Sequence, residues 1–345
     1  MADLVELDSL EILVIVDNEL DPISPSPNAA VQQSGGLKDI GMGGPQLDPQ
    51  TRGGAISELR MDNICCSAHG LSLLITGLKS NNSGEPERHT VLFDTGPEEH
   101  IFELNATRLK ARLGEIETIQ LSHWHRDHSG GMPRVLAMAN AMKPAGSPAI
   151  TVDLNPDRPD YRGMVTPMGP VSMEADPTFA EIEAAGGKVE KHSEVHTVAG
   201  KFFAVSGEIP RTTSYDVGLK RGLRMMREAG VWEEDTLIRD ERFLMCKLKD
   251  KGIVMFTGCS HAGVVNASRH AVTLGNGVPL YAVMGGFHLA DGEPQTITST
   301  VADLQALEPK LLLTGHCTGW RAKFAIQQAM PGKLVPSFVG SRFTL

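Results

Sequence analysis

The stretch of sequence that decides the fold is SHWHRDHSGG, which spans residues 122–131 and follows an apolar run at 116–121. It places His123, His125, Asp127 and His128 within six residues. Zinc takes imidazole nitrogen and carboxylate oxygen as ligands, and four such groups behind a buried strand need partners. In an irregular turn, the first two histidines can face one ion. Asp127 and His128 can then face a second ion about 3.5–4 Å away, so a metal site is favoured over a solvated histidine-rich loop.

Further histidines stand just past three other apolar runs. Cys259 and His261 follow one run, His288 follows a second and His316 follows a third. Active sites of α/β proteins form at the carboxyl ends of strands, and a glycine before each candidate lets the backbone bend sharply. One histidine at a strand end would be read as a packed core residue. Several strand ends that carry histidine predict convergence on one metal centre.

The composition of the chain excludes several classes of protein. The chain has 345 residues, of which 41% are hydrophobic and 21% charged, and a formal net charge of −10. These values are typical of globular proteins and exclude a collagen-like or coiled-coil chain. No dense Lys/Arg stripe supports nucleic-acid binding, and five cysteines without a paired framework suggest reduced thiols. No apolar run approaches a membrane span and the acidic start does not resemble a secretory signal. We therefore expect a cytoplasmic protein with a small-molecule substrate, while the oligomeric state stays open.

Strand-like and helix-like segments alternate along the chain. Strands are predicted at 10–17, 71–76, 90–94, 116–121, 149–153, 188–190, 194–198, 201–205, 243–248, 252–257, 279–284 and 310–314, with a turn at 79–88. Helices are predicted at 98–113, 131–142, 177–186, 262–274, 295–307 and 319–330, and residues 216–232 are read as a possible helix. This order predicts an α/β fold of four layers, αββα. We expect one domain over residues 1–345, with loop insertions at about 19–57 and 154–185 over the mouth of the site.

A set of motifs spread along the chain resembles one protein family. The motifs are, in order, VDN at 16–18, AHGLSLLI at 68–75, LFDTG at 92–96, SHWHRDHSGG at 122–131, SGEIPR at 206–211, FTGCSHAGVVN at 256–266, GGFHL at 285–289 and GHCTG at 315–319. Together they resemble the metallo-β-lactamase fold superfamily, in its ribofuranosylaminobenzene 5′-phosphate (dihydropterin) synthase-like branch. The resemblance covers nearly the whole chain apart from 19–60 and 154–185. A fold and a branch name do not fix the reaction.

The resemblance implies a role for each matching residue of the HxHxDH and GHCTG motifs. His123 and His125 resemble ligands of the first metal, and Asp127 and His128 resemble ligands of the second. His316 resembles the residue that completes the second site.

The chain departs from the superfamily pattern at two ligands. The third histidine of the first site has no clear counterpart, since His192 and His196 stand in no recognisable motif, and His261 is the preferred substitute. Cys259 stands where the bridging aspartate is expected. A thiolate favours zinc, so we expect one or two Zn²⁺ ions, with Mn²⁺ or Fe²⁺ as alternatives. Cys259, Asp94 and Asp240 are candidates for a metal ligand or for a hydrogen-bond partner of one.

The expected activity is that of a metal-dependent, lactamase-like or lactonase-like hydrolase, in which a metal-activated hydroxide opens a small cyclic amide or ester. Asp127 would orient the hydroxide or accept its proton, and His288 would protonate the leaving group or bind metal. Arg211 could bind an anionic group of the substrate and His69 could line the pocket, although a surface or core role is open for each. The alternatives are a phosphoester hydrolase or pterin-pathway synthase, a di-iron redox protein, and a non-catalytic metal-binding scaffold.

Overall fold

A computed structural model describes residues 2–81 and 84–345 of the chain. Its strands are β1 (Glu6–Leu7), β2 (Ser9–Val16), β3 (Gln32–Ser34), β4 (Ser72–Lys79), β5 (Glu87–Phe93), β6 (Ile116–Gln120), β7 (Ile150–Leu154), β8 (Tyr161–Thr166), β9 (Gly169–Ser172), β10 (Gly187–Lys191), β11 (His196–Val198), β12 (Phe203–Val205), β13 (Gly222–Met225), β14 (Trp232–Glu234), β15 (Leu244–Leu248), β16 (Gly252–Thr257), β17 (Leu280–Gly285), β18 (Leu311–Thr314), β19 (Leu334–Pro336) and β20 (Arg342–Thr344). Its α-helices are α1 (Leu37–Met42), α2 (Glu99–Arg108), α3 (Arg126–Ser129), α4 (Met132–Met142), α5 (Phe179–Ala184), α6 (Val264–Leu274), α7 (Pro294–Ala306) and α8 (Trp320–Ala329). Residues 82 and 83 of the turn predicted at 79–88 lie outside the described residues.

The strands form two large sheets and one small sheet. Sheet 1 has the order β10-β7-β6-β5-β4-β2-β20-β3, and sheet 2 has the order β11-β12-β15-β16-β17-β18-β19, with β1 paired to β15. In sheet 1, β5, β6, β7 and β10 run parallel, and in sheet 2, β16 to β19 run parallel. Parallel strands end at the same edge of a sheet, so the residues that follow them gather there. The small sheet has the order β14-β13-β8-β9.

Three apolar clusters separate the layers. Between the sheets, Leu10 and Phe93 of sheet 1 share a cluster with Phe256 and Leu313 of sheet 2. A second cluster joins the outer face of sheet 1 to α2 and α4, and a third joins the outer face of sheet 2 to α6, α7 and α8. Burial of apolar surface on both faces explains why the central strands are almost continuously apolar. The four-layer αββα prediction is therefore confirmed.

The helices lie against the outer faces of the sheets. The longest of them in the described part of the chain is α7, with 13 residues. Among the residues described, no helix is both long enough and apolar enough to cross a membrane.

The two segments read as loop insertions contain regular structure. The first carries β3 and α1, and the second carries β8, β9 and α5. The reading of 216–232 as a possible helix is wrong, because Gly222–Met225 pairs antiparallel with β8 and Trp232–Glu234 pairs with β13. The pairing with β8 joins segments about sixty residues apart, and such non-local pairing overrides local helix propensity. The single-domain boundary stays a prediction.

Candidate metal centre

The histidines predicted for the site lie just after the carboxyl ends of β6, β16, β17 and β18. Each strand passes into a sharp turn, and His288 and His316 both adopt a left-handed conformation with φ of 46°. Glycine is required beside one of these turns, because a Cβ on Gly315 would lie 2.2 Å from an Oδ atom of Asp17. Local backbone strain of this kind often marks functional sites.

His123, His125 and His261 form the first group, which we call the triple-histidine cluster. Nδ1 of His125 lies 2.9 Å from Nε2 of His123 and 3.2 Å from Nε2 of His261. All three side chains are buried, and burial together with neighbouring positive charge holds their pKa values well below the ordinary histidine value. The rings are therefore neutral at pH 7. Neutral imidazole nitrogens that face one point are the ligand set that zinc prefers.

Asp127, His128, Cys259 and His316 form the second group, which we call the mixed cluster. The Cys259 sulfur lies 3.2 Å from Nε2 of His128 and 3.1 Å from Nε2 of His316. Oδ2 of Asp127 lies 3.4 Å from Nε2 of His128 and 3.3 Å from Nε2 of His316. Two nitrogens, one oxygen and one sulfur around a common point match a four-coordinate zinc site.

Acidic neighbours favour the protonated forms of the two histidines in the mixed cluster. Burial alone would lower the pKa of His128, but Asp127 and Asp94 raise it well above the ordinary value. Burial would likewise lower the pKa of His316, but Cys317 and Asp127 raise it to about 9. Because metal ligands must lose these protons, metal binding at this cluster would release them.

The tautomers of His123 and His128 follow from their contacts with Ser122 and Asp94. The Ser122 hydroxyl donates to Oδ2 of Asp94 at 2.8 Å, so towards His123 its oxygen accepts from Nδ1 at 2.9 Å. Nδ1 of His128 donates to the same Asp94 oxygen at 2.6 Å. Each histidine therefore directs Nε2 into its cluster, and this places Asp94 behind His128 as a hydrogen-bond partner.

Asn18 fixes the tautomer of His316 in the same way. The backbone N–H of Gly70 donates to Oδ1 of Asn18 at 3.0 Å, which fixes the orientation of the amide. Nδ1 of His316 must then donate to that oxygen at 2.9 Å, and the Asn18 amide group donates to Nδ1 of His69 at 3.0 Å. Nε2 of His316 is left for the mixed cluster. The VDN and AHG motifs are thus explained by one hydrogen-bond chain.

A buried carboxylate that the sequence interpretation missed supports the turn at His261. The two oxygens of Glu241 accept from the backbone N–H groups of His261 and Ala262, both at 2.7 Å. Burial raises the pKa of Glu241 to about 7, although these two hydrogen bonds oppose the rise. No sequence motif marks Glu241, since its partners lie twenty residues further along the chain.

Asp240 lies behind the HxHxDH turn. Its carboxylate accepts from the backbone N–H of Trp124 at 2.7 Å and pairs with the buried guanidinium of Arg162. Of the two roles predicted for it, Asp240 therefore supports the backbone between two candidate ligands, His123 and His125. Arg162 was not singled out from the sequence, because it belongs to the second insertion.

His288 packs against the triple-histidine cluster. Its ring centroid lies 4.5 Å from that of His261, and its Nδ1 is buried without a hydrogen-bond partner among the described residues. The ligand atoms of Cys259, His261 and His288 lie within 4.8 Å of one another, so the Cys259 sulfur stands between the two clusters. The sequence did not single out Cys317, whose thiol lies 3.6 Å from the Cys259 carbonyl oxygen.

The two residues predicted to contact substrate lie in different places. The side chain of His69 is 69% exposed, and its Nε2 lies 3.4 Å from Oδ2 of Asp127, at the solvent-facing side of the mixed cluster. Arg211 donates to the backbone carbonyl oxygens of Leu237 and Asp216 instead of facing either cluster. Substrate binding by both residues stays a prediction.

His192 and His196 stand apart from the centre and surround Asp153. One Asp153 oxygen accepts from His192 at 2.8 Å and from His196 at 2.6 Å, and the other accepts from the buried Arg242 at 2.6 Å. The three ligand atoms are close enough for a metal ion, but Arg242 already balances the carboxylate. Nδ1 of His196 also faces the carbonyl oxygen of Glu194 at 2.9 Å. An acceptor at each ring nitrogen favours the doubly protonated, positively charged form of His196.

This ion pair predicts a pH-dependent stability. Burial alone would lower the pKa of His196, but Asp153 raises it above the ordinary value of 6.5. A raised pKa gives a stabilisation that is complete below the ordinary pKa and is lost as the pH rises through the folded-state pKa. The melting temperature of His196→Gln should therefore fall below that of the unaltered protein by more at about pH 6 than at about pH 9. An equal difference at both pH values would contradict the charged state of His196.

The chain is similar to a curated enzyme in sequence and to a solved hydrolase in structure. No family model matches the chain. It is 29% identical over 259 residues to the 7,8-dihydropterin-6-methyl-4-(β-D-ribofuranosyl)-aminobenzene-5′-phosphate synthase of Methanocaldococcus jannaschii, covering 74% of this chain and 83% of the relative. The structure is similar to that of Tm1679, a metal-dependent hydrolase of the β-lactamase superfamily, with a TM-score of 0.66 and 21% identity over 96% of this chain and 98% of the other. These two similarities confirm the resemblance that the motifs predict.

Proposed function

We propose that this chain, which has the metallo-β-lactamase fold, is a zinc-dependent hydrolase that opens a small cyclic amide or ester. The observation that carries the proposal is the pair of adjacent buried clusters at the strand ends. One presents three neutral imidazoles, and the other presents two imidazoles, a carboxylate and a thiol. Buried polar groups of this kind need a partner, and both donor sets fit a metal ion.

The donor chemistry favours zinc over harder cations. Magnesium and calcium prefer oxygen ligands, whereas zinc accepts imidazole and thiolate together. Only one carboxylate, that of Asp127, belongs to the two clusters, and Cys259 supplies a sulfur between them. A carboxylate-poor and thiol-containing set also argues against a di-iron redox centre.

The residues around the clusters can carry the proton transfers of hydrolysis. When bound, the metal would lower the pKa of water and polarise the attacked group. Asp127, whose side chain is 19% exposed, can accept a proton from an attacking water. His288 has an unpartnered Nδ1 among the described residues and can donate a proton to the leaving group. Asn18 and Asp94 hold two ligands in fixed orientations throughout.

A neutral small-molecule substrate suits the charges near the centre. The chain has a net charge of −10. Arg126, beside Asp127, already bonds the Ala175 carbonyl and pairs with Glu174. Arg211 is directed at backbone carbonyls. A carbonyl attacked at its carbon needs no such cation, so lactams and lactones are the preferred substrate class.

Turnover of a substrate panel with and without metal tests the proposal. We expect a lactam or lactone to be hydrolysed, the chelator EDTA to abolish the activity and added Zn²⁺ to restore it. Full activity of the metal-stripped protein would contradict a metal-dependent reaction. If no lactam or lactone is hydrolysed, the proposed substrate class is wrong. Metal dependence would then be measured on the other compounds of the panel.

A second candidate is a pterin-pathway, synthase-like or phosphoester reaction. The observation that favours it is the 29% identity to the archaeal synthase, which covers 83% of that relative. This candidate predicts inhibition by inorganic phosphate and turnover of a cyclic phosphodiester in the same panel. The lactam and lactone proposal predicts neither result.

Cys259→Ser is expected to weaken metal binding at the mixed cluster and to remove a spectroscopic signature. The Cys259 sulfur lies 3.2 Å and 3.1 Å from two histidine nitrogens of that cluster. A thiolate bound to Co²⁺ gives a near-ultraviolet charge-transfer band that a serine oxygen cannot give. The Co²⁺-substituted protein should show this band and Cys259→Ser should lose it. Cys246→Ser, at a buried cysteine outside both clusters, is the matched control and should keep it. The same band in both variants would exclude Cys259 as a ligand.

A further inference from the structure

A cavity of about 460 Å³ lies beside the first insertion. Its walls come from residues of that insertion, from the segment that ends at Cys65, from the end of α2 and from the turn before β20. No residue of the triple-histidine cluster or the mixed cluster lines it. Small-molecule sites usually occupy concave spaces of about 300–1,000 Å³, so the cavity has the size of a ligand site that is separate from the metal centre.

Three basic side chains line this cavity without an acidic partner. Arg108 uses Nη1 to donate to the carbonyl oxygen of Ile64 at 2.6 Å. Arg342 uses Nη2 to donate to the carbonyl oxygen of Leu109 at 2.6 Å. Among the described residues, neither guanidinium nor the ammonium of Lys110 forms an ion pair. Several N–H donors of the two arginines therefore stay available inside a concave wall.

The acidic groups around the cavity do not neutralise these cations. Asp39 is the only acidic residue in the lining, and its carboxylate accepts from the backbone N–H of Gly35 at 2.7 Å. Burial and the neighbouring Arg112 lower the pKa of Arg342, while Glu11 opposes this shift without forming an ion pair with it. Three cations against one engaged carboxylate leave a local positive charge in a chain whose net charge is −10.

The rest of the lining is largely apolar. Leu20, Ile40, Ile64 and Val339 contribute aliphatic surface beside the basic side chains. A ligand that contacts both parts needs a charged end and an apolar body. Free inorganic anions would use only the first part, and a neutral apolar compound only the second.

We propose that this cavity binds a small organic anion, with a carboxylate or phosphate head on Arg108, Lys110 and Arg342 and an apolar body against the aliphatic wall. Guanidinium groups form strong charge-assisted hydrogen bonds with such heads. The inference goes beyond the proposed hydrolase function, because it uses none of the residues assigned to it.

The binding would be reversible. Cys65 also lines the cavity, but burial raises the pKa of its thiol to about 11. A protonated thiol is a poor nucleophile, so covalent capture of the ligand by Cys65 is not part of the proposal.

Calorimetric titration of the full chain with four probes tests the proposal. Phenyl phosphate and benzoate carry both parts of the expected ligand, inorganic phosphate carries only a charged head, and phenol carries only the apolar body. We expect phenyl phosphate or benzoate to bind more tightly than inorganic phosphate and phenol, and their difference tells which head is preferred. Binding of neither aromatic anion, or equal binding of inorganic phosphate, would overturn the proposal.

Variants locate the binding. Arg108→Met should weaken binding of the aromatic anion by about tenfold. Lys110→Gln, at an exposed side chain with no partner among the described residues, should weaken it without a risk to folding. Arg52→Met, an equal charge change in the first insertion but outside the cavity, should leave binding unchanged. His123→Ala should also leave it unchanged, whereas loss in His123→Ala with retention in Arg108→Met and Lys110→Gln would assign the anion to the metal centre and overturn the proposal.

Discussion

Replacing Asp127 with asparagine is expected to lower kcat by about 10²–10⁴-fold, the usual contribution of a positioned acid–base group. The amide has nearly the shape of the carboxylate, but it cannot accept a proton and it binds metal more weakly. Oδ2 of Asp127 stands within 3.4 Å of Nε2 of both His128 and His316, at the side of the mixed cluster that faces solvent. The measurement is kcat on the substrate found in the panel, together with thermal unfolding, to show that the variant is folded at the assay temperature.

Asp153→Asn is the matched control for this variant. Like Asp127, Asp153 lies between two histidines, but it is fully buried and lies outside both clusters. We expect its replacement to lower the melting temperature and to leave the kcat of the folded protein nearly unchanged. If Asp127→Asn loses stability as Asp153→Asn does but keeps its kcat, Asp127 has a structural role only.

Arg162→Met is expected to have the largest effect outside the ligands themselves. Nη1 of Arg162 donates to the carbonyl oxygen of Trp124 at 2.8 Å, Nε donates to Asp235 at 3.1 Å, and the guanidinium pairs with Asp240. Asp240 in turn accepts from the N–H of Trp124 at 2.7 Å. Both peptide groups of the residue between His123 and His125 are therefore held by one buried ion pair.

Loss of one partner from a buried ion pair costs about 3–5 kcal/mol of unfolding free energy. Loss of the groups that orient ligands typically weakens metal binding about 10–100-fold. Denaturant unfolding measures the first effect, and competition with a chromophoric chelator for Zn²⁺ measures the second. Arg224→Met, at a partly exposed pair with Asp157 in the same small sheet, should change neither by much. Unchanged zinc affinity in a folded Arg162→Met would show that the ion pair supports only the fold.

The layers of the fold and the positions of the candidate ligands were predictable because their signals are local. A strand of apolar residues followed by glycine and histidine is visible within a few residues, as at 253–261 and 311–316. Because the central strands are almost continuously apolar, the sequence also predicts that both faces of each sheet are buried. The structure brings together the eight residues named from such patterns, although their binding of metal stays a prediction.

Asp94 and Asp240 were named from the sequence, but the supporting roles of Arg162, Asn18 and Glu241 could not be predicted because their partners are distant in the chain. Arg162 reaches Trp124 across 38 residues, and Asn18 reaches His316 across 298. The small sheet was missed for the same reason, since β8 and β13 depend on each other for their hydrogen bonds. The second insertion, read as a cover over the site, therefore contributes to the support of the metal-binding turn.

Anomalous X-ray diffraction at the zinc absorption edge, on crystals of the zinc-loaded protein, shows directly whether the two clusters bind zinc. We expect anomalous density at the triple-histidine cluster, within ligand distance of His123, His125 and His261, and a second peak at the mixed cluster. We expect no peak beside Asp153, where Arg242 balances the carboxylate. Absence of density from both clusters, or zinc bound only at Asp153, would contradict the assignment of this site as a metal centre.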